Sequence, residues 1–187
     1  MAISQKVSVR VVTAAEAEAR LDEVCALYSE VFSEPPNIAE SPEHHRAAML
    51  RMLSDPSFGC AIAECLGELA GFVYGYGLKS ARWWQGMRDP LPAGFTAEWQ
   101  GRSFAVIDIG VRRRWRRNGI GARLMETLLA ERQEQRATLG MIPDLTDSAR
   151  FYAATGWRLV GRQDSPPDAG WVAPVFDVYT RPIGTVN

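Results

Sequence analysis

The sequence predicts an α/β (α+β) fold in which about seven strands and four helices follow one another in the order βααββ-βαβαββ. Two periodicities support this prediction, because apolar residues alternate in the strand segments and recur every three or four residues in the helical ones. The third observation is size: 187 residues, 47% of them apolar and 23% charged, are typical of one globular domain with a sizeable core. We therefore expect residues 1–187 to form a single domain.

The N-terminal half is predicted to supply the first five elements. Alternating valines predict a strand over residues 7–13, and a capping-box pattern then opens a helix that continues over residues 13–32. A serine followed by a proline opens a second helix over residues 41–54. Two apolar segments, 59–65 and 69–78, flank a short glycine-containing link, which is typical of an antiparallel hairpin.

The C-terminal half continues the alternation. An apolar, β-branched strand ends at Val111 and leads into an amphipathic helix that begins near Gly119. We expect a fifth strand over residues 137–142, a short helix over 146–155, and two closing strands near 157–161 and 171–180.

The junction between the central strand and its helix is the clearest candidate ligand site. A helix N-terminus presents unpaired backbone N–H groups and the positive end of the helix dipole, so it attracts anions. Gly119 and Gly121 would let a pyrophosphate approach the main chain. Five arginines surround them and favour a phosphorylated ligand, although a solvated surface run is the alternative; they are Arg112, Arg113, Arg114, Arg116 and Arg117.

Two short segments carry a family resemblance. Residues 116–121, Arg-Arg-Asn-Gly-Ile-Gly, contain neither the P-loop pattern nor GxGxxG. They resemble the Q/R-x-x-G-x-G/A motif of the GNAT superfamily of acyl-CoA-dependent N-acyltransferases. Residues 148–157 resemble the same family's A-x-x-x-Y-x-x-x-G-F element, with Tyr152 at the matching spacing. Ser148 and Leu145 depart from the family's Ala and Asn, and the second departure removes one expected cofactor contact.

The resemblance implies a central, mixed and mostly antiparallel sheet of about seven strands flanked by four helices. It also implies an enzyme that transfers an acetyl group from acetyl-CoA, without a metal, to a primary amine of a small molecule or peptide. By this resemblance, main-chain groups of Ile109, Gly110 and Val111 would pair with the pantetheine arm. The pyrophosphate would be held by the backbone amides of Arg116, Arg117, Asn118, Gly119, Ile120, Gly121 and Ala122.

Two residues are candidates for proton transfer. Asp108 interrupts an apolar strand, where a carboxylate is costly unless it is paired or useful. We interpret Asp108 as the base that deprotonates the amine, directly or through a water. The alternative role for Asp108 is to pair with a buried arginine. The alternative bases are a water and Glu98. Tyr152 matches the family position that protonates the leaving thiolate, and a core tyrosine is the alternative.

The segment 79–102 is predicted to select the acceptor. It is long, irregular and rich in tryptophan, and such connections are usually functional or disordered. Aromatic faces attract cations, and acidic side chains pair with them. The residues predicted to bind the amine acceptor are therefore Trp83, Trp84, Glu98 and Trp99. The alternative is that these tryptophans anchor the segment to the core or cover a dimer interface.

Composition excludes other classes of function. Two alternative functions are a nucleic-acid-binding module with an arginine patch and an acyl-CoA sensor that does not transfer the acyl group. The net charge of −1 argues against the first of these. Three cysteines without a CxxC argue against a zinc site and favour a reducing compartment. With no signal peptide or apolar span in the sequence, we expect a cytoplasmic protein without a membrane partner. His44 and His45 lack matched ligands and are interpreted as surface residues. The identity of the amine acceptor and the formation of a homodimer are not determined by the sequence.

Overall fold

The computed structural model describes residues 7–166 and 172–184. The strands in these ranges are β1 (Val7–Val12), β2 (Gly59–Cys65), β3 (Glu68–Gly77), β4 (Ser103–Val111), β5 (Arg136–Met141), β6 (Arg158–Asp164) and β7 (Val175–Pro182). The helices are α1 (Ala14–Ala19), α2 (Leu21–Phe32), α3 (Pro42–Leu53), α4 (Ile120–Ala130) and α5 (Thr146–Ala154). Short 3₁₀ turns cover Ala81–Trp84 and Arg113–Trp115. The predicted start of the last strand, residue 171, lies outside the described residues.

The strands form one mixed sheet in the order β1-β2-β3-β4-β5-β7-β6. The pairs β1–β2, β2–β3, β5–β7 and β6–β7 are antiparallel, whereas β4 and β5 run parallel. The register of that parallel pair runs from Ser103 opposite Arg136 to Ala105 opposite Thr138. The predicted fold class, a mostly antiparallel sheet with flanking helices, is thus confirmed.

Local sequence explains most element boundaries. Thr13 caps α1 by accepting from the Glu16 amide at 3.2 Å, and Ser41 caps α3 by accepting from the His44 amide at 3.2 Å. The β2–β3 hairpin turns on Leu66 and Gly67, both with positive φ, as a tight two-residue turn requires.

One predicted element differs in detail. The helix expected over residues 13–32 is broken at Arg20, whose φ of −105° and ψ of 14° are not helical. The guanidinium of Arg20 bonds Glu23 on α2 and Glu64 on β2, both at 2.8 Å. Ion pairs that satisfy this partly buried side chain therefore accompany the break, and two helices replace one.

Residue proximity divides the chain into two compact units. Among the described residues, the first unit holds β1, α1, α2, α3, β2, α4, most of β3 and the end of β4, from Val106 onward. Its core packs α1, α2 and α3 against β2 and β3, and α4 packs on β1 and β2. The second unit holds the segment Gly77–Ala105, including the start of β4, followed by β5, α5, β6 and β7. The prediction that the chain forms a single domain stays a prediction.

Candidate active site

In the first unit, β4 leads through the Arg113–Trp115 turn into α4, as the motif predicts. Gly119 is the residue before the helix and has a φ of +72°, a conformation that residues with a side chain rarely adopt. A Cβ built at Gly119 would meet no atom within 4 Å, so the space in front of the turn is open. Arg117 also has a positive φ, of 64°, and Asn118 stabilises the turn by donating to the carbonyls of Trp115 and Arg116. We call residues 116–122 the α4 turn.

Several arginines of the predicted cluster lie in ion pairs. Arg112 contacts Glu30 at 3.3 Å and Glu68 at 3.7 Å, and Arg114 also pairs with Glu68. These contacts place glutamates next to arginines that were predicted to bind phosphate. Part of the positive charge is therefore neutralised within the protein.

Arg116 has a structural role in the α4 turn. Its Nε donates to the Val111 carbonyl at 2.8 Å, and its Nη1 bonds Glu34 at 2.8 Å. The side chain thus ties the end of β4 to the turn. Backbone amides of the α4 turn are consequently the stronger candidates for binding a pyrophosphate.

Asp108 lies on β4 in the same unit and belongs to a hydrogen-bonded chain of three side chains. The Tyr74 hydroxyl on β3 donates to Asp108 Oδ2, and His45 Nε2 on α3 lies 2.8 Å from the Tyr74 oxygen. His45 Nε2 is 3.8 Å from Asp108 Oδ2. We call these three residues the Asp108 chain. The alternative in which Asp108 pairs with a buried arginine finds no support in these contacts.

The directions of the two hydrogen bonds follow from the chemistry of the groups. An ionised carboxylate only accepts, so the single hydroxyl proton of Tyr74 points to Asp108. The Tyr74 oxygen then accepts from His45, which places the histidine proton on Nε2. Nδ1 of His45 is buried and has no hydrogen-bond partner among the described residues, as fits an unprotonated nitrogen of a neutral ring.

Burial sets the proton affinities of this chain. Desolvation raises the pKa of Asp108 to about 7, although the hydrogen bond from Tyr74 lowers it and so opposes the effect. Desolvation lowers the pKa of His45 to about 4, with the nearby His44 acting in the same direction. Burial and the charge of Asp108 raise the pKa of Tyr74 well above its usual range. Near neutral pH, Asp108 is therefore the member of the chain that exchanges protons.

Two further groups surround the Asp108 chain. Tyr28 on α2 stacks on the His45 ring with centroids 3.6 Å apart and planes 9° apart. Its hydroxyl accepts from the Glu40 amide at 3.2 Å. Desolvation raises the pKa of the Glu40 carboxyl, and the charge of Glu40 in turn contributes to the raised pKa of Asp108. Acidic and aromatic side chains thus surround a carboxylate that is still 19% exposed.

The interpretation of His45 as a surface residue was wrong. His45 is 2% exposed, whereas the side chain of its neighbour His44 is 51% exposed. A signal for this was present in the sequence, because His45 lies four residues before the buried Met49 and so shares its helix face. The two histidines of the chain therefore have different environments.

Tyr152, the second predicted catalytic residue, lies on α5 in the second unit and is 8% exposed. Its ring packs edge-on against Phe151 and Trp157, with centroids 5.2 and 6.0 Å away, and lies 5.7 Å from Tyr179. Its carbonyl accepts from the Trp157 amide at 3.0 Å. The ring therefore has a packing role, and proton donation by the hydroxyl stays a prediction.

Among the residues predicted to bind the acceptor, Trp84 and the side chain of Glu98 are buried in the second unit. Trp84 is 4% exposed, and its Nε1 donates to Glu98 Oε1 at 2.8 Å. Ser103 Oγ and Arg136 Nη2 donate to the same oxygen, also at 2.8 Å. Arg136 also lies over the Trp84 ring, 4.8 Å from its centroid. This geometry favours the anchoring alternative for Trp84 and Glu98.

The other two tryptophans of the segment differ from each other. Trp83 Nε1 donates to Thr138 Oγ1 at 3.1 Å, and its carbonyl accepts from Gln163. Trp99 is 50% exposed, with the Arg102 guanidinium 4.4 Å from its ring centroid. Trp99 is thus the most accessible of the predicted acceptor residues, and contact with an acceptor stays a prediction for all four.

Within residues 7–166 and 172–184, no three or more His, Cys, Asp and Glu side chains are grouped so that they could hold a metal ion. None of the helices in these ranges has the length and apolarity needed to cross a membrane.

The fold is shared with solved acetyltransferases. A ribosomal-protein-alanine N-acetyltransferase from Escherichia coli superimposes with a TM-score of 0.65 at 10% identity, covering 97% of each chain. An aminoglycoside 6′-acetyltransferase of type Ii gives 0.64 at 18% identity, covering 96% of this chain and 99% of that one. An aminoglycoside N-acetyltransferase in complex with CoA gives 0.55 at 16% identity, covering 83% and 90%. At these identities the similarity establishes the fold.

Comparison at the level of sequence establishes the family. A search of curated protein sequences gives no match. The profile of the Acetyltransferase (GNAT) family matches residues 21–157, which include both the α4 turn and Tyr152. The match spans most of the chain and confirms the resemblance drawn from the two motifs, so this protein belongs to the Acetyltransferase (GNAT) family.

Proposed function

We propose that this protein is an N-acetyltransferase that moves the acetyl group of acetyl-CoA to the primary amine of a small molecule or peptide. The observation that carries the proposal is the environment of Asp108: a largely buried carboxylate, with its pKa raised to about 7, on the strand that leads into the α4 turn. A carboxyl group with a strongly perturbed pKa, on a strand that leads into a candidate anion site, is a candidate for proton transfer.

The α4 turn suits the phosphates of the acyl donor. The helix is 11 residues long, its first amides lack helical partners, and Gly119 leaves the approach open. Main-chain groups of Ile109, Gly110 and Val111 lie past the last β4–β5 pair, at Ala105, and are proposed to bind the pantetheine arm as an added strand would. Acetyl-CoA would supply an acyl group activated by a thiol leaving group.

Asp108 is proposed to accept the proton of the amine. An ammonium group with a pKa of ~10 costs about 4 kcal/mol to deprotonate at pH 7, and an acyl acceptor must be deprotonated before it attacks. An ordinary aspartate would be a poor base for this step, because transfer to a group of pKa ~4 is about 8 kcal/mol uphill. The raised pKa of Asp108, about 7, halves that cost to about 4 kcal/mol.

Tyr152 is proposed to donate a proton to the departing thiolate, a role that rests on the family motif. The acceptor is proposed from the chemistry of the site and from the relatives. Two of the similar structures are named for aminoglycoside acetylation and one for acetylation of a ribosomal-protein alanine. Each is an amine acceptor, and the acids at Asp108 and Glu40 suit a cationic amine.

A panel of amines tests the proposal. Purified protein is mixed with acetyl-CoA and, separately, with an aminoglycoside, a polyamine, an amino acid and a peptide with a free N-terminus. Release of CoA together with the mass increase of one acetyl group on the acceptor supports the proposal. Binding of acetyl-CoA without turnover on any amine would instead make the protein an acyl-CoA sensor.

An Asp108→Asn variant tests the assigned base. It should lower kcat/KM by about 10²-fold or more and flatten the acidic limb of the pH–rate profile, because general base catalysis typically contributes 10² to 10⁴. An Asp147→Asn variant is the matched control, since the side chain of Asp147 is 73% exposed on α5. An unchanged acidic limb in Asp108→Asn would assign the base to another group.

A further inference from the structure

The Asp108 chain contains two residues that the family motifs did not identify. His45 and Tyr74 lie on α3 and β3, far in sequence from the α4 turn and from Tyr152. Both side chains are almost completely buried, at 2% and 0% exposure. A buried polar side chain is costly unless its hydrogen bonds are satisfied, and these two satisfy each other and Asp108.

We infer that His45 and Tyr74 are positioning residues for Asp108: His45 donates to Tyr74, Tyr74 donates to Asp108 Oδ2, and these bonds orient and stabilise the ionised carboxylate, with Oδ1 left to take the proton of the acceptor. The inference rests on the proposed function for the identity of the acceptor proton. It extends that function by adding a second and a third residue to the assignment of the base.

The proton balance of the step is simple. The N–H bond of the acceptor ammonium breaks, its electron pair stays on nitrogen, and an O–H bond forms on Asp108 Oδ1. Tyr74 and His45 keep their own protons throughout. Asp108 later returns its proton to water, to which it is 19% exposed.

The two hydrogen bonds act against desolvation. Without the Tyr74 donor, burial would raise the pKa of Asp108 further, and a larger fraction of the carboxyl group would be protonated at neutral pH. His45 acts through Tyr74, because a hydroxyl that accepts a hydrogen bond becomes a better donor. The stacking of Tyr28 on His45 fixes the direction of the ring, so the donor nitrogen points to Tyr74.

Four other titratable groups act electrostatically on members of the Asp108 chain. They are Cys25 and Tyr28 on α2, Glu40 before α3, and His44 on α3. Glu40 acts on Asp108 as a like charge, and His44 acts on His45 as a like charge. None of these replaces a direct donor to Asp108, since the hydrogen bond to its Oδ2 comes from Tyr74.

The test follows the Asp108 carboxyl directly by NMR, in protein carrying ¹³C-labelled aspartate carboxyl groups, over pH 4 to 10. The variants are Tyr74→Phe, which removes the hydroxyl, and His45→Phe, which keeps a ring to stack on Tyr28 but removes the donor. We expect the midpoint of Asp108 to rise by about one unit or more in Tyr74→Phe, because a hydrogen bond to a charged group is lost. We expect a rise of about half a unit in His45→Phe, which loses only the cooperative part.

A rescue variant and a control separate positioning from packing. His45→Gln restores an N–H donor at a similar reach and should return the midpoint close to its wild-type value. Tyr76→Phe, the same loss of a hydroxyl two residues further along β3, should leave the midpoint in place, since the groups that shift the pKa of Asp108 besides burial are Tyr74 and Glu40. If His45→Phe proves unstable, His45→Leu, which also lacks a donor, takes its place: it should raise the midpoint by a similar amount, and an unshifted midpoint in a folded His45→Leu would overturn the role of His45.

The outcomes distinguish this inference from the proposed function. The inference would be overturned if the Asp108 midpoint stayed at its wild-type value in both folded variants, Tyr74→Phe and His45→Phe. A shift in Tyr74→Phe alone would overturn the role of His45. Because the titration needs no turnover, shifted midpoints in a protein that acetylates no amine would uphold the chain and refute the acetyltransferase. Where turnover is found, the acidic limb of kcat/KM should move with the midpoint.

Discussion

Replacing Asp108 by asparagine should stabilise the protein above neutral pH, because the wild-type carboxylate is ionised there in a site that disfavours its charge. The native pKa of Asp108, about 7, exceeds the ordinary value of 3.8 by about three units. A carboxyl group with a raised native pKa stabilises the fold fully below its unfolded pKa, and that contribution is lost as the pH rises through the native value. At 1.36 kcal/mol per pKa unit, the contribution of Asp108 to the free energy of unfolding changes with pH by about 4 kcal/mol in all. Of this change, about 2.5 kcal/mol falls between pH 5 and 8.

His45 has the opposite effect on stability. Its native pKa of about 4 lies below the ordinary 6.5, so its contribution is present above pH 6.5 and is lost as the pH falls through the native value. The two contributions largely offset each other in the wild type between pH 4 and 6.5. In Asp108→Asn the contribution of His45 remains alone, and stability should rise with pH over that window.

Urea unfolding at pH 5 and pH 8 measures the effect. The difference in unfolding free energy, variant minus wild type, should grow by about 2.5 kcal/mol between the two conditions. Asp147→Asn, at an exposed position, should show no comparable change with pH. Parallel stability curves for Asp108→Asn and wild type would refute the raised pKa and with it the assignment of Asp108 as a base poised near neutral pH.

The remaining predictions concern the second unit. Tyr152→Phe keeps the ring that packs on Trp157, so it should lower kcat by about 10²-fold or more in steady-state assays with little change in acetyl-CoA affinity; near wild-type turnover would leave Tyr152 a packing residue. Trp84→Ala should cost about 3–5 kcal/mol in urea unfolding, because it empties a buried site and removes a donor to Glu98, and an unchanged free energy would contradict the anchoring role. Trp99→Ala, at the exposed end of the same segment, should barely change stability but raise the acceptor KM several-fold, and an unaltered KM would remove Trp99 from the acceptor site.

Sequence patterns predicted the elements of local origin. The α4 turn combines a strand, glycines and a helical stripe within one short segment, and the hairpin turn at Leu66 and Gly67 is set by its own two residues. Both depend on backbone preferences and periodicity that neighbouring residues determine. The same reasoning placed Asp108 on an otherwise apolar strand.

Contacts distant in sequence were not predictable in this way. The Asp108 chain joins residues 34 and 29 positions apart, between Tyr74 and Asp108 and between His45 and Tyr74. These contacts depend on how α3, β3 and β4 pack together. The burial of Trp84 likewise depends on Arg136, which is far along the chain. Periodicity could have placed His45 on a buried face, but its partner could be found only in the folded protein.

We have proposed that the α4 turn binds acetyl-CoA, and calorimetric titration with acetyl-CoA measures this binding. Wild-type protein should bind, and Gly121→Val should bind at least tenfold more weakly while its melting temperature is maintained, because the added side chain stands where the pyrophosphate would meet the backbone amides. Gly121→Ala, with a smaller side chain, should give an intermediate affinity. A wild-type protein that does not bind acetyl-CoA, or a folded Gly121→Val that binds it with unchanged affinity, would contradict the claim.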